Sequence, residues 1–151
     1  VLETAAGTGA VTRALVASIA DAQIIATDLN QPMLDHAKAR QSGNARIEWK
    51  QADALALPFE DQTFDVVVCQ FGAMFFPDKV QGYREALRVL KPGGRFFFSV
   101  WDRTPLRSEI EPRNAPSLEE ATQHAAKALT ERFGSKAIDG RMRAIVVTAT
   151  R

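Results

Sequence analysis

The fold is decided by the stretch VLETAAGTGA, residues 1–10. Its first residues suit the end of a β-strand, and they lead into a turn without bulky side chains. After the turn, Val11, Leu15 and Ile19 repeat at the spacing of one helix face. The pattern therefore predicts a strand, a tight turn and the N-terminus of a helix.

The turn has the features of a ligand site. Gly7 and Gly9 can adopt positive φ and let a ligand approach the backbone, while the N–H groups that open a helix favour polar or negatively charged groups. The next predicted strand, residues 23–27, ends at Asp28, about twenty residues beyond the glycines, where an acidic side chain can reach a ribose. A glycine-rich turn alone is often only a connection, but the two signals together predict an adenosine-bearing cofactor.

The sequence of this turn does not match the common dinucleotide-binding or triphosphate-binding motifs. A dinucleotide site favours G-x-G-x-x-G, and this chain has Thr12 at the third glycine. No Gly-Lys-Ser/Thr follows the turn, so the phosphate-binding P-loop pattern is also absent.

The opening stretch instead resembles motif I of the class I S-adenosylmethionine-dependent methyltransferases, V-L-D/E-x-G-x-G-x-G. Ala5 stands where the first glycine is common, a departure that a small residue tolerates. The matching positions are Val1, Leu2, Glu3, Gly7 and Gly9.

Four later segments resemble the same family in the same order. Residues 24–34 resemble its ribose-binding segment, 51–54 with 57–59 its adenine-binding segment, 64–70 its fourth strand and 90–95 the turn before its fifth strand. The resemblance covers residues 1–102 and is greatest to the small-molecule methyltransferases that include quinone-biosynthesis enzymes.

The resemblance implies S-adenosyl-L-methionine as cofactor and methyl transfer to a small molecule. We assign no catalytic side chain. Asp28 would bind the ribose, Glu3 would orient the amino-acid end, and Asp53 with Ala54 would meet the adenine edge. The alternatives are a helix cap for Asp28, a strand-end salt bridge for Glu3 and a solvated loop for Asp53. The complete predicted cofactor set is Glu3, Ala5, Gly7, Gly9, Asp28, Leu29, Asp53, Ala54 and Gln70.

Alternating strands and helices predict a three-layer, Rossmann-like α/β fold with a doubly wound, mostly parallel sheet. The resemblance implies strand order 3-2-1-4-5, followed by a final antiparallel strand. Val80, Tyr83, Leu87 and Leu90 are expected to form the buried stripe of the helix after strand four. The other expected strands are 46–51, 64–70, 95–101 and 142–150. The expected helices include 8–20, 30–43 and 117–133, and residues 91–94 are expected to form a turn.

Length and composition are those of one ordinary domain. The chain has 151 residues, 46% hydrophobic and 25% charged, with a net charge of +1, so charge gives no reason to expect a nucleic-acid partner. We expect a single methyltransferase domain over 1–151, with a cofactor-binding core at 1–102 and a shortened C-terminal part at 103–151. Compared with the family, we expect the helices before strand one and about one strand–helix unit to be missing.

Several further expectations follow from individual residues. Cys69, the only cysteine, lies in an apolar strand and is expected to pack in the core of a cytoplasmic protein. No apolar run is long enough to span a membrane. His36 and His124 have no partners at metal-ligand spacing, so surface positions and no metal site are expected. The alternatives to a methyltransferase are a non-catalytic binding or scaffold domain and an NAD(P)-dependent oxidoreductase.

Overall fold

The computed structural model describes residues 1–102, 127, 131 and 144–151. Six strands, three helices and one 3₁₀ turn at Ala73–Phe75 are present within residues 1–102 and 144–151. In chain order they are β1 (Leu2–Glu3), α1 (Ala10–Ser18), β2 (Ile24–Asp28), α2 (Gln31–Arg40), β3 (Ile47–Gln51), β4 (Phe64–Gln70), α3 (Lys79–Val89), β5 (Leu90–Trp101) and β6 (Ala144–Thr150).

The strands form one mixed sheet in the order β3-β2-β1-β4-β5-β6. The pairs among β1 to β5 are parallel. β6 is antiparallel to β5. Just beyond β6, the Gly93 N–H donates to the Arg151 carbonyl and the Arg151 N–H donates to the Gly94 carbonyl, both at 3.1 Å. The predicted fold class, strand order and final antiparallel strand are confirmed.

The strand order reverses beside β1, and this reversal produces three layers. The connections through α1 and α2 move along the sheet in one direction, whereas the connection through α3 moves in the other. Because such crossovers are right-handed, α1 and α2 cover one face and α3 covers the opposite face. The carboxyl ends of β1 and β4 therefore flank a crevice at the switch point.

A core of aliphatic and aromatic side chains lies around β1, β4 and β5. Leu2, Val67 and Cys69 are fully buried, and burial raises the pKa of the Cys69 thiol. The packing role predicted for Cys69 is confirmed. The remaining buried members of this core cluster are Leu57, Phe64, Ala73, Ala86, Val89, Leu90 and Phe96.

The most buried side chain of α1 is polar. Ile19 is 44% exposed, and the fully buried residue of the helix is Thr12. The Thr12 hydroxyl donates to Glu3 Oε2 at 2.6 Å, so a polar contact joins the buried side of α1 to the end of β1. Val11 and Leu15, which the sequence places on one face of the helix, are half-buried.

The buried face of α3 differs in part from the prediction. Val80 is 57% exposed, and the expectation that it is buried was wrong. The helix packs instead through Gly82, Ala86 and Val89, whose small or short side chains allow a close approach. Tyr83 still packs against the core, and its ring stacks on Phe98 at 5.1 Å between centroids.

Residues 91–94 are part of β5 rather than a turn before it. Leu90 pairs with Phe64 and Arg95 pairs with Val66, so the six residues 90–95 of β5 lie opposite the three residues 64–66 of β4. Gly93 has φ +78°, and the preceding proline has no N–H to donate. The expected turn is therefore a bulge within a longer strand.

The chain divides into two compact units. The first comprises Val1–Val100 and Ile145–Arg151, and the second comprises Trp101–Ala144. In the second unit, Lys127 and Glu131 are helical and 3.8 Å apart at their charged atoms. The rest of the predicted helix at 117–133 and His124 lie outside the described residues. No helix in the described ranges is long and apolar enough to cross a membrane.

Candidate functional site

A cavity of about 390 Å³ opens at the carboxyl ends of β1, β2 and β4, a volume suited to a small ligand. Seven of the nine predicted site residues line it: Ala5, Gly7, Asp28, Leu29, Asp53, Ala54 and Gln70. The other lining residues are Asn30, Met33, Ala52, Leu55, Phe71, Gly72, Phe75, Phe76 and Pro77. All belong to the first compact unit.

The turn after β1 has an unusual backbone. Ala5, Gly7 and Gly9 have φ of +52°, +56° and +73°, so every second residue is left-handed. Long-range hydrogen bonds hold this conformation, because the Thr4 and Ala6 N–H groups donate to carbonyls of β4 and β2 at 2.9 Å. The small residues found here are those that tolerate such a backbone.

Gly9 lies outside the cavity lining and has a packing role. A Cβ at Gly9 would lie 2.6 Å from Gln41 Nε2 and 2.9 Å from the Trp49 ring. The Gly9 carbonyl also accepts a hydrogen bond from that Gln41 amide at 3.2 Å. The second glycine therefore allows α1 to approach the α2 end and β3.

Glu3 also lies outside the lining, buried beneath the turn with 2% exposure. Its carboxylate accepts the Thr12 hydroxyl rather than forming a salt bridge among the described residues. Burial, opposed by the Thr12 hydrogen bond and assisted by the negative charge of Asp28, raises the pKa of Glu3 to about 7. Glu3 is thus positioned to titrate near neutral pH.

The raised pKa of Glu3 makes the stability depend on pH. A carboxyl with a pKa of about 4.5 unfolded and about 7 folded binds more protons in the folded state between these values, so stability falls as pH rises through them. The full loss is about 3 kcal/mol. Glu3→Gln should therefore flatten the profile of unfolding free energy between pH 5 and 8, measured by urea denaturation. The exposed Glu48→Gln is the control, and equal effects of both variants would contradict the assignment.

Asp28 connects the turn after β1 with the start of α2. Its Oδ2 accepts the Gly7 N–H and its Oδ1 accepts the Asn30 N–H, both at 2.8 Å. Asn30 is itself the N-cap of α2 and accepts the Met33 N–H at 3.3 Å. A carboxylate offers about four acceptor positions, so these two bonds leave capacity for two ligand hydroxyls.

The opposite wall comes from the loop between β3 and β4. Asp53 is exposed, and its Oδ1 accepts the Leu55 N–H at 2.8 Å. The Ala52 N–H donates to the Asp28 carbonyl at 3.1 Å, which joins this wall to the end of β2. Asp53 and Ala54 therefore face the same cavity as Asp28.

The end of β4 closes the cavity on its third side. Gln70 is exposed there, and Phe71 has φ +55°, an uncommon conformation for a bulky residue. The Phe71 N–H donates to the Ser99 carbonyl at 3.0 Å and to the Ser99 hydroxyl at 3.3 Å. Backbone strain of this kind is typical of functional positions.

Comparison with known proteins agrees with this geometry. The family described as Methyltransferase domain matches residues 2–98, more than half of the chain. The chain belongs to the methyltransferase domain family. Its resemblance to the class I S-adenosylmethionine-dependent methyltransferases is confirmed.

Two curated relatives of the methyltransferase domain have names that mention quinones. It is 41% identical to the demethylmenaquinone methyltransferase of Clavibacter sepedonicus, over 70% of this chain and 42% of that protein. It is 45% identical to the ubiquinone/menaquinone biosynthesis C-methyltransferase of Bartonella tribocorum, over 64% of this chain and 38% of that protein. The chain thus spans about two fifths of the length of these relatives.

Solved structures share the fold. A Bacillus halodurans protein superimposes with a TM-score of 0.65 at 26% identity, over 84% of this chain and 60% of the other. A Haemonchus contortus phosphoethanolamine N-methyltransferase, solved with S-adenosylhomocysteine, gives a TM-score of 0.65 at 23% identity, over 84% of this chain and 32% of the other.

Sequence reasoning missed some residues around the methyltransferase domain's cavity. Met33 and Leu55 lie only a few residues from predicted positions, so their neighbourhood was the available signal. The role of Thr12 had no local signal, because its partner Glu3 lies on another element. Leu29 and Phe75 are 66% and 74% exposed and form an apolar rim with Met33.

The charge of the lining is one-sided. Asp28 and Asp53 contribute carboxylates, and no Lys, Arg or His occurs among the described lining residues. His36 is exposed on α2, as predicted. Within the described ranges, no three His, Cys, Asp or Glu side chains are grouped as a metal site would require. The charged side chains of the described lining are thus all carboxylates.

Proposed function

We propose that this chain binds S-adenosyl-L-methionine and transfers its methyl group to a small-molecule acceptor by in-line displacement. The observation that carries the proposal is the cavity at the switch point, where two carboxylates and no cationic side chain are found among the described lining residues. A cationic adenosine derivative matches this charge. A dinucleotide is disfavoured because Thr12 occupies the position of the third glycine in the G-x-G-x-x-G pattern.

The donor set fits the parts of this cofactor. Asp28 retains acceptor capacity for the two ribose hydroxyls after binding Gly7 and Asn30. Asp53 can accept from the exocyclic amine of adenine, and the Ala54 N–H can donate to the ring. Leu29 supplies an exposed apolar surface at the ribose side. Gly7 and Gln70 line the cavity near the expected amino-acid and sulfonium ends.

The reaction mainly requires that the methyl donor and the acceptor be held in line. S-adenosylmethionine supplies a methyl group that is already activated on a sulfonium. The protein's part is to hold donor and acceptor in line, an effect worth up to about 7–11 kcal/mol. Phe71, fixed in its strained conformation by Ser99, and Gln70 form the wall where this alignment would be set. No side chain is assigned as general base.

The proposed acceptor is an apolar, quinone-like molecule. The two curated relatives have names that mention menaquinone or ubiquinone. The exposed side chains of Met33 and Phe75 at the rim would contact an apolar ring favourably. A cytoplasmic location, expected from the single cysteine, is part of the proposal.

Calorimetric titration of the purified chain tests the proposal. We expect micromolar binding of S-adenosylhomocysteine, about −8 kcal/mol, and no binding of NAD⁺ at similar concentrations. Transfer of isotopically labelled methyl from S-adenosylmethionine to a demethylated quinol, the reduced and nucleophilic form of the ring, would then be measured, with S-adenosylhomocysteine leaving and the displaced proton passing to solvent. Binding without transfer would support the scaffold alternative, and failure of the folded chain to bind would contradict the proposal.

A further inference from the structure

The loop that carries Asp53 and Ala54 has few sheet contacts of its own, and α3 holds it through side chains. Gln81, Glu85 and Arg88 have the spacing of one helix face. We infer that these three residues form a polar ladder that sets the position of the adenine-side wall and so determines selectivity for adenine. The inference rests on the proposed function, and the ladder residues are positioning residues.

Each member of the polar ladder binds the loop backbone. Gln81 Nε2 donates to the Leu55 carbonyl at 3.1 Å. Glu85 Oε2 accepts the Leu57 N–H at 2.8 Å. Arg88 donates to the Leu57 and Phe59 carbonyls at 2.9 and 2.8 Å. The ladder therefore replaces the neighbouring strand that this segment lacks.

Arg88 is fully engaged in this arrangement. Its guanidinium makes two hydrogen bonds to Glu85 and one to Asp61, all at 2.8 Å, in addition to the two loop carbonyls. These five contacts use every N–H of the side chain. The same contact with Arg88 lowers the pKa of Glu85. The planar fork thus fixes the ladder in one geometry, which a lysine could not reproduce.

The ladder is connected to the cavity through Leu55. The carbonyl of Leu55 accepts from Gln81, while its N–H donates to the Asp53 carboxylate at 2.8 Å. α3 also lies directly against the lining, since a Cβ at Gly82 would be 2.5 Å from Phe76 and 3.3 Å from Leu55. A displacement of the Leu55 carbonyl would therefore be transmitted to Asp53.

The property that depends on this position is recognition of the purine edge. Adenine presents an amine that donates and a ring nitrogen that accepts, matching the Asp53 carboxylate and the Ala54 N–H. Hypoxanthine reverses both positions, with an oxygen that accepts and a ring N–H that donates. A correctly placed wall should therefore favour S-adenosylhomocysteine over S-inosylhomocysteine, since the wrong base leaves polar groups unmatched.

Gln81→Glu tests the ladder most directly, because it replaces a hydrogen-bond donor by an acceptor of nearly the same size. Gln81 is the third residue of α3, whose N-cap Asp78 accepts the Gln81 N–H at 2.9 Å, and glutamate is equally suited to that helix position. The variant should preserve the start of α3 but place an acceptor against the Leu55 carbonyl. We expect the preference for S-adenosylhomocysteine over S-inosylhomocysteine to fall about tenfold by calorimetry. A merely structural role would leave this ratio unchanged.

Arg88→Lys provides a second variant, which keeps the positive charge but lacks the planar guanidinium that makes the five hydrogen bonds. The matched control is Arg84→Lys, an exposed position on the same helix. The inference is supported if the ratio falls in the ladder variants and not in the control. It is overturned if both folded ladder variants keep the wild-type ratio. Absence of S-adenosylhomocysteine binding by the folded wild type would overturn the proposed function itself and the inference with it.

Discussion

Asp28→Ala is expected to weaken S-adenosylhomocysteine binding at least tenfold, about 1.4 kcal/mol. The carboxylate would accept two ribose hydroxyls, and charge-assisted hydrogen bonds contribute about 1.5–3 kcal/mol each. The same change removes the acceptor for the Gly7 and Asn30 N–H groups, so the turn after β1 should also lose order. Calorimetric titration gives the first effect and urea denaturation gives the second.

Two further variants separate the contributions of Asp28. Asp28→Asn retains an oxygen that can accept one backbone N–H but removes the negative charge, so binding should remain weak while stability recovers in part. Asp21→Ala makes the same charge change as Asp28→Ala on an exposed residue before β2. If Asp21→Ala weakened binding as much, the effect would be one of net charge, and the ribose assignment would be wrong.

Gly72→Ala is expected to give the largest loss of stability. Gly72 has φ −89°, which alanine adopts readily, so backbone strain is not involved. The added Cβ would, however, lie 2.3 Å from the Ala5 Cβ and 3.0 Å from Cys69 Sγ. Such overpacking costs about 1–3 kcal/mol. The free energy of unfolding, measured in urea, should fall by about this amount.

A double-mutant cycle identifies the clash behind that loss. Ala5→Gly removes the atom closest to the new Cβ and also relieves an alanine at φ +52°. The double variant should therefore recover part of the stability, with a coupling energy of about 1–2 kcal/mol. Gly43→Ala is the control, because a Cβ there meets no atom within 4 Å and should not couple to Ala5→Gly. Additive effects of Ala5→Gly and Gly72→Ala would contradict this account.

The parts of the fold that were predictable from sequence depend on local patterns. β4 is a short apolar run, and α2 begins at an asparagine cap that the structure confirms. Asp28 ends a strand next to a glycine-bearing turn, and the fold brings the carboxyl ends of neighbouring parallel strands together. This is why residues far apart in sequence could be assigned to one cavity.

The features that were not predictable depend on contacts between distant elements. The fully buried side chain of α1 is that of Thr12, whose hydroxyl reaches Glu3 on β1. The bulge in β5 arises because Leu90 and Arg95 take their register from β4. The polar ladder on α3 reads in the sequence as an ordinary solvated helix face. Periodicity cannot distinguish such a face from one that binds a loop.

The left-handed turn after β1 also bears on how the domain folds. Its two glycines lose much conformational freedom, and Ala5 is held in a conformation it does not favour alone. The hydrogen bonds that stabilise it come from Thr27 and Val68, which are 21 and 64 residues away from their donors. The turn can therefore form only after β2 and β4 have assembled beside β1, because closing such loops costs entropy before any contact is gained. The cavity would then be completed late in folding and would open early in native-state fluctuations.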